Sequence, residues 1–246
     1  MSELCFCVAT MAPKPVIPDP VCTWINNSTH LTANHLWFRR NTAENNLGVV
    51  ASYEELRQRT AAPILCYIHD DVICRELGWD LRVLEEFEDP KVGVVGFGGA
   101  LRHGSDELYK RPYKLQQLGR AGYRSNVDDA EVHGERFEDN CDVAVLDGFA
   151  LIVRRELLDR AGGWPHDRYP PHHCYDYFLC CLAHQLGYRV RLCGVRCHHL
   201  GGRTALSPAY QLWAERSKWG SDQAMHEAGH RLIYEDFRDV LPWSCV

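Results

Sequence analysis

The stretch PILCYIHDDVIC, Pro63 to Cys74, runs apolar from Ile64 to Ile68 and then turns into His69, Asp70 and Asp71. Two adjacent carboxylates after a buried strand are costly unless a cation or a donor group compensates them. Their oxygens are hard ligands that suit Mg2+ or Mn2+, and a neighbouring imidazole tilts the choice toward Mn2+ or a similar transition metal. The same residues also fit a solvated turn in which an aspartate caps the next helix. Two more acids are conspicuous: Asp147, ending an apolar run before Gly148, and Asp176, at the start of a helical pattern. Cys193, Cys197, His198 and His199 in CGVRCHH offer zinc-ligating atoms, but outside the usual zinc spacing. His226 to His230, HEAGH, satisfies the zinc-protease pattern HExxH, with Glu227 as its base. No third ligand stands at a usual place among the sixteen residues after His230. A closing amphipathic helix with Met225, Ala228 and Leu232 inward accounts for the same letters.

Strands and helices alternate around these groups. Apolar runs predict strands at Leu4–Ala9, His35–Arg39, Ile64–His69, Val92–Phe97, Tyr188–Cys193 and Val195–His199, with a further one beginning near Val143. Helical spacing predicts helices at Val49–Arg59, Leu77–Phe87, Tyr175–Leu186, Pro208–Trp219 and Asp222–Phe237. Strands separated by helices imply an α/β fold with a mostly parallel sheet. In such sheets ligands bind outside the carboxyl ends of the strands, where Asp70 and Asp71 would lie. VGFGGA lacks the GxGxxG fingerprint, so its glycines suit close backbone approach rather than a dinucleotide loop.

Between Leu101 and Asn140 no apolar periodicity holds, which reads as a functional loop. Its charge is segregated. Leu101 to Arg124 carries six Lys or Arg against Asp106 and Glu107, interleaved with Tyr109, Tyr113 and Tyr123. Asp128 to Asp142 carries seven acids against Arg136 alone. The basic half suits an anionic acceptor, with Lys110, Arg111 and Tyr113 as contacts; equally, the two halves suit mutual neutralisation.

The chain has 246 residues, 46% of them hydrophobic, and a net charge of -6, which provides no global basic field for nucleic acid or membrane. The start lacks the basic n-region of a signal peptide, and no apolar run reaches the ~20 residues that span a bilayer. The expectation is a soluble cytoplasmic protein. Twelve cysteines without a CxxC pair then read as reduced thiols, several inside apolar runs.

Taken in order, ILCYIHDDV, GW, VGVVGFGGA, LDGFALIVRRELL, YDYFLCCLAHQLGYRV and CHHLGG resemble the family 2 glycosyltransferases with a GT-A fold. The nearest branch has His-x-Asp-Val in place of the DxD motif. The resemblance is good from about Ile64 to Gly202 and thin elsewhere. It implies a GT-A domain over 1–202 with 101–140 as an acceptor-side insertion, and a helical extension over 203–246 packed on the same domain. It implies a nucleotide-sugar donor, a UDP-sugar first, and Mn2+ or Mg2+ as cofactor. His69 and Asp71 match the two ends of the metal motif, and His199, or His198, matches a ligand from a late strand. Asp70, Gly98, Gly99, Asp147, Gly148 and Arg203 fall on the donor side, and Tyr175 on the acceptor side. Asp176 matches the general base of an inverting transfer. The acceptor hydroxyl would belong to a glycan, a small molecule or a hydroxymethylated nucleic-acid base. The chain departs from the family at Glu54, where an asparagine is common, and at Phe178, where a second acid often stands. VATMAPKP shows no acid to read a uracil. A non-catalytic nucleotide-sugar-binding relative and a zinc hydrolase built on HEAGH are the alternatives.

Overall fold

The computed structural model describes residues 4–11, 16–42, 44–104, 123–127, 134–137, 139–201 and 207–245. Its strands are β1 (Leu4–Thr10), β2 (Leu36–Arg40), β3 (Ile64–Ile68), β4 (Val72–Cys74), β5 (Val92–Gly96), β6 (Gly98–Ala100), β7 (Arg102–His103), β8 (Tyr123–Ser125), β9 (Cys141–Asp142), β10 (Val145–Leu146), β11 (Ala150–Arg154), β12 (Arg189–Leu192), β13 (Cys197–His199) and β14 (Trp243–Ser244). Its helices are α1 (Asp19–Asn26), α2 (Gly48–Gln58), α3 (Trp79–Glu86), α4 (Arg155–Arg160), α5 (Tyr175–Gln185), α6 (Pro208–Arg216) and α7 (Asp222–Asp236).

A seven-stranded sheet in the order β2-β1-β3-β11-β5-β12-β9 forms the centre. β1, β2, β3, β5 and β12 run one way, and β9 and β11 run against them. β3 and β5 are buried along their whole length, as continuous Ile, Val and Leu runs require when both faces are covered. One core cluster joins α2 and α5 to the sheet through Tyr53, Leu56, Leu179 and Leu182; the other packs Val21, Trp24, Trp79 and Val83 of α1 and α3 against it. Among the described residues no helix is long and apolar enough to cross a membrane.

The strands expected at Leu4–Ala9, His35–Arg39, Ile64–His69, Val92–Phe97 and Tyr188–Cys193 form within one residue at each end. Two expectations need correction. The stretch 101–140 holds regular structure in its described parts, because β7 pairs with β14 and β8 with β6. Such two- and three-residue strands are set by their partners and leave no period of their own. The second correction is α1, a short helix in DPVCTWIN that periodicity did not reveal. It matters for the site because it clamps the strand that follows Asp71. Trp24 Nε1 donates to the Val72 carbonyl at 2.7 Å, Asn27 Nδ2 to the Cys74 carbonyl at 3.1 Å, and the Cys74 N–H to Thr23 Oγ1 at 2.8 Å. Trp79 Nε1 in turn donates to the Trp24 carbonyl at 2.8 Å, and the Trp24 ring stacks on Phe97 at 5.6 Å.

Two consecutive arginines tie β11 to neighbouring turns. Arg154 donates to the carbonyls of Phe87, Asp89 and Val92, and Arg155 to those of Arg57, Thr60 and Ala62. Trp24→Phe keeps a ring in the core but orphans the buried Val72 carbonyl. The expected loss is about 2–4 kcal/mol, from the unsatisfied acceptor and the smaller ring together. Urea unfolding measures it, and a loss under about 0.5 kcal/mol would show that the clamp contributes little.

Candidate metal centre

β3 ends at Ile68, and His69, Asp70 and Asp71 follow before β4 starts. β4 pairs antiparallel with β13 so that Val72 faces His199. This ribbon returns His199 to Asp71: His199 Nε2 lies 3.4 Å from Asp71 Oδ1. One nitrogen each from His69 and His199 and one Asp71 oxygen all lie within 4.8 Å of one another. Among the described residues this is the only group of three or more such side chains so arranged. The late-strand histidine in the cluster is therefore His199; His198, the alternate residue of β13, is outside it.

Neighbours fix each member. The His69 N–H donates to the Phe149 carbonyl at 2.9 Å, across the β3–β11 ladder, and the Phe149 ring stacks on His199 at 5.1 Å. His69 Nε2 lies 2.6 Å from Tyr175 Oη, and that hydroxyl donates to the Gly148 carbonyl at 3.2 Å. A hydroxyl that donates to a carbonyl accepts from Nε2–H, which leaves the lone pair on the other ring nitrogen. Gly148 is glycine for a steric reason: a Cβ there would come within 2.5 Å of Tyr175 Oη. Tyr175 itself starts α5 after Cys174, whose left-handed φ of 62° makes the turn into the helix.

The electrostatics suit a cation. Burial, reinforced by His199, pushes His69 down to about 4, so its imidazole is neutral near pH 7 and able to ligate. Burial pushes the Asp71 carboxyl up, but the hydrogen bond from His199 and the nearby His69 outweigh it and hold the group below its ordinary value. Asp70 accepts a hydrogen bond from Thr10 Oγ1 at the carboxyl end of β1. Two imidazoles and a carboxylate are a borderline-hard donor set that fits Mn2+ well and Mg2+ less well.

A cavity of about 230 Å³ opens onto these groups. Thr10, Asn41 and Tyr53 form one wall, and His172, His173, Tyr175 and Tyr210 another. Among the described residues that line it there is no lysine or arginine. His172 Nε2 is buried without a hydrogen-bond partner, and burial, with His173 beside it, pushes its ring down to about 3. His173 Nε2 bonds Asp222 Oδ1 at 2.7 Å, and Tyr210 also donates to that oxygen, so α6 and α7 are tied to the cavity rim.

The remaining expected residues are spread more widely. Asp176 lies in the first turn of α5 beside Tyr175, 7% exposed, and Oδ1 accepts the Tyr177 N–H at 2.9 Å; it is not among the cavity-lining residues. Asp147 precedes Gly148 and is close enough to His69 to bias its charge. Gly98 and Gly99 lie buried in β6 between β10 and β8 and do not line the cavity; a Cβ at Gly99 would meet the Val145 carbonyl at 2.6 Å, so strand packing accounts for it. Arg203, Lys110, Arg111 and Tyr113 lie outside the described residues. Glu54 is turned away from the cavity: it accepts from Arg57, Gln58 and the Trp164 N–H. Phe178 is core, packed on Tyr169 and Phe237. His226 and His230 face each other with Nε2 atoms 3.3 Å apart, but no third ligand joins them among the described residues, and Glu227 bonds Gln223. Cys193 and Cys197 are buried in the core rather than turned toward a metal.

Thr10, Asn41, Tyr53, His172, His173 and Tyr210 escaped the sequence reading. Thr10 had a usable signal, since it ends the first parallel strand; the others have no motif. Tyr175→Phe removes only the hydroxyl that orients His69. Mn2+ affinity, read by titration calorimetry, is expected to fall by ~10-fold or more with the melting temperature nearly unchanged. An unchanged affinity would mean that His69 needs no such support.

Comparison with known proteins bears on what this geometry serves. No curated protein matches the chain. Among solved structures, the mannosyltransferase PcManGT from Pyrobaculum calidifontis, in complex with GDP-Man and Mn2+, is similar at 14% identity and TM-score 0.52, covering 87% of this chain and 60% of its own. TarS of S. aureus is similar at 11% identity and TM-score 0.53, covering 97% of this chain and 43% of its own. The chain thus spans about half the length of these structures, and the fold they share with it is that of the GT-A glycosyltransferases. Residues 41–210, well over half of the chain, match the model of one family along their length. The chain belongs to the glycosyltransferase-like family.

Proposed function

We propose that this protein transfers a sugar from a nucleotide-sugar donor to an acceptor hydroxyl, with Mn2+, or Mg2+, held by His69, Asp71 and His199. The observation that carries the reading is the convergence of these three side chains within 4.8 Å on a cavity at the carboxyl ends of β1 and β3. A donor diphosphate brings concentrated negative charge, and uncompensated charge in such a cavity is costly. The described part of the wall supplies acids and the neutral imidazoles of His69 and His172, which suits a divalent ion as counter-charge. When bound, it would neutralise the charge that grows on the leaving diphosphate. The similar mannosyltransferase carries both GDP-Man and Mn2+.

The chain's own residues have separable tasks in this reading. Thr10 and Asn41, at and just beyond the ends of β1 and β2, face the nucleoside. Asp70, held by Thr10, faces the ribose or the sugar, and Asp147 and Gly148 border the sugar. Tyr175 orients His69. Asp176 takes the proton from the attacking hydroxyl in an inverting transfer; its place at a helix N-terminus favours the ionised form. Asp147 is the second candidate for that role because it lies nearer His69. UDP-sugars are the first donors to try. In this reading 1–202 is the transferase domain and 203–246 a helical extension on it, an arrangement supported by the Arg168–Asp236 ion pair and the His173–Asp222 bond.

A panel of nucleotide sugars, screened for Mn2+-dependent thermal stabilisation and then for release of nucleoside diphosphate, tests the reading. One donor is expected to do both. Binding without release would indicate a non-catalytic relative, and no binding at all would contradict the reading. Asp71→Ala is expected to abolish the Mn2+-dependent part of donor binding while the fold persists. Asp176→Asn is expected to lower turnover by ~10²-fold or more with donor affinity nearly unchanged. Normal turnover in that variant, with loss in Asp147→Asn, would assign the base to Asp147.

A further inference from the structure

A second depression, of about 810 Å³, opens where the β4–β13 ribbon ends away from Asp71. Among the described residues that line it are the guanidiniums of Arg75, Arg82, Arg136 and Arg196 and the carboxylate of Glu76. That carboxylate is already engaged: Oε1 pairs with Arg82 Nη1, and Oε2 accepts the Arg196 N–H at 2.9 Å. The side chain of Arg196 is 67% exposed, and Arg75 and Arg136 are exposed as well. At the floor stands Gly194, where a Cβ would lie 3.2 Å from Asn126 Nδ2 and 3.4 Å from Arg82 Nη2. The missing side chain keeps open a notch bordered by an amide and a guanidinium. Arg75 and Arg196 thus present exposed guanidiniums side by side in a chain of net charge -6.

Its position is informative. The Arg75 N–H donates to the Arg196 carbonyl at 3.0 Å, so both arginines continue the ribbon whose other end holds Asp71 and His199. Arg75 is four residues beyond Asp71, roughly 13 Å at ~3.3 Å per residue. Gly194 follows the carboxyl end of β12, three strands from β3 in the order β3-β11-β5-β12, or roughly 14 Å at ~4.8 Å per step. The depression therefore lies along the same edge of the sheet as the metal cluster, on the side away from β1 and β2. A span of ~13 Å is on the order of two or three sugar units.

We propose that the depression is an acceptor subsite for the carboxylate, sulfate or phosphate groups of an acidic saccharide chain, held while a hydroxyl a few units away enters the transfer site. This deepens the proposed function and rests on it. Planar guanidiniums match such oxyanions with paired N–H donors. The Phe137 ring reaches the edge of the Gly194 notch, but a chain of net charge -6 provides no extended basic field for a nucleic-acid polymer, so a saccharide fits better.

The test uses the full chain, with a heparin-derived tetrasaccharide as acidic probe, maltotetraose as uncharged probe and an oligothymidylate as the nucleic-acid arm. The acidic tetrasaccharide is expected to bind with an affinity that falls as salt rises. Arg75→Ala with Arg196→Ala is expected to weaken it ~10-fold or more, and Arg75→Lys with Arg196→Lys to retain most of it. Mn2+-dependent binding of nucleoside diphosphate should be the same in all three proteins. Equal binding of maltotetraose, an unchanged affinity in the alanine pair, or tighter binding of the oligothymidylate would each overturn the proposal. If wild type also fails to bind nucleoside diphosphate with Mn2+, the proposed function falls with it; if that binding is intact, only the subsite falls.

Discussion

Asp70 and Asp71 stand side by side at the end of a strand buried on both faces, and each needs a partner. Thr10 donates to Asp70, and His199 comes back along the β4–β13 ribbon to Asp71. Much of the local structure follows from holding that arrangement. α1 fixes the ribbon through Trp24 and the Val72 carbonyl, Phe149 backs His199, and the missing side chain at Gly148 lets Tyr175 reach His69. Removing any of these contacts would leave a carboxylate or an imidazole less constrained without changing the order of the sheet.

The charge layout along the carboxyl edge of the sheet has two signs. At β3 the side chains are acids and a histidine that burial keeps neutral, which favours a cation. Beyond β4 and β12 the side chains are guanidiniums, which favour an anion. The ribbon joins the two regions through one short ladder. The opposite end of the cavity is tied differently: His173 and Tyr210 both bond Asp222, and these bonds help hold Asp222 at about 2, so the carboxylate that links the α5 entry to the closing helices stays ionised at neutral pH.

The sequence revealed the sheet well because its central strands are long apolar runs, and it singled out His69 and Asp71 because an acidic turn after such a run is conspicuous. It could not choose between His198 and His199, since that depends on which face of β13 meets β4. It also missed α1, whose first turn carries Pro20 just after Pro18, residues that read as breakers in a sequence. Tyr175 was assigned to the acceptor by resemblance, while its hydroxyl bonds Gly148 and His69, the latter 106 positions away. Glu54 and Phe178, read as departures in a catalytic pattern, have structural partners in Trp164 and Phe237 that no local spacing announces. The Arg75–Arg196 depression was invisible because its arginines come from four separate places in the chain.

The central claim is that His69, Asp71 and His199 bind one divalent ion together. Pulsed electron paramagnetic resonance of Mn2+ added to the protein in the presence of a nucleoside diphosphate tests it directly, because nitrogen and phosphorus nuclei bonded near the ion modulate the signal. The account predicts coupling to imidazole nitrogen and to diphosphate phosphorus in the same complex, with the nitrogen coupling reduced when His199 is replaced by alanine. Phosphorus coupling without any nitrogen coupling, or nitrogen coupling unaffected by that replacement, would contradict it.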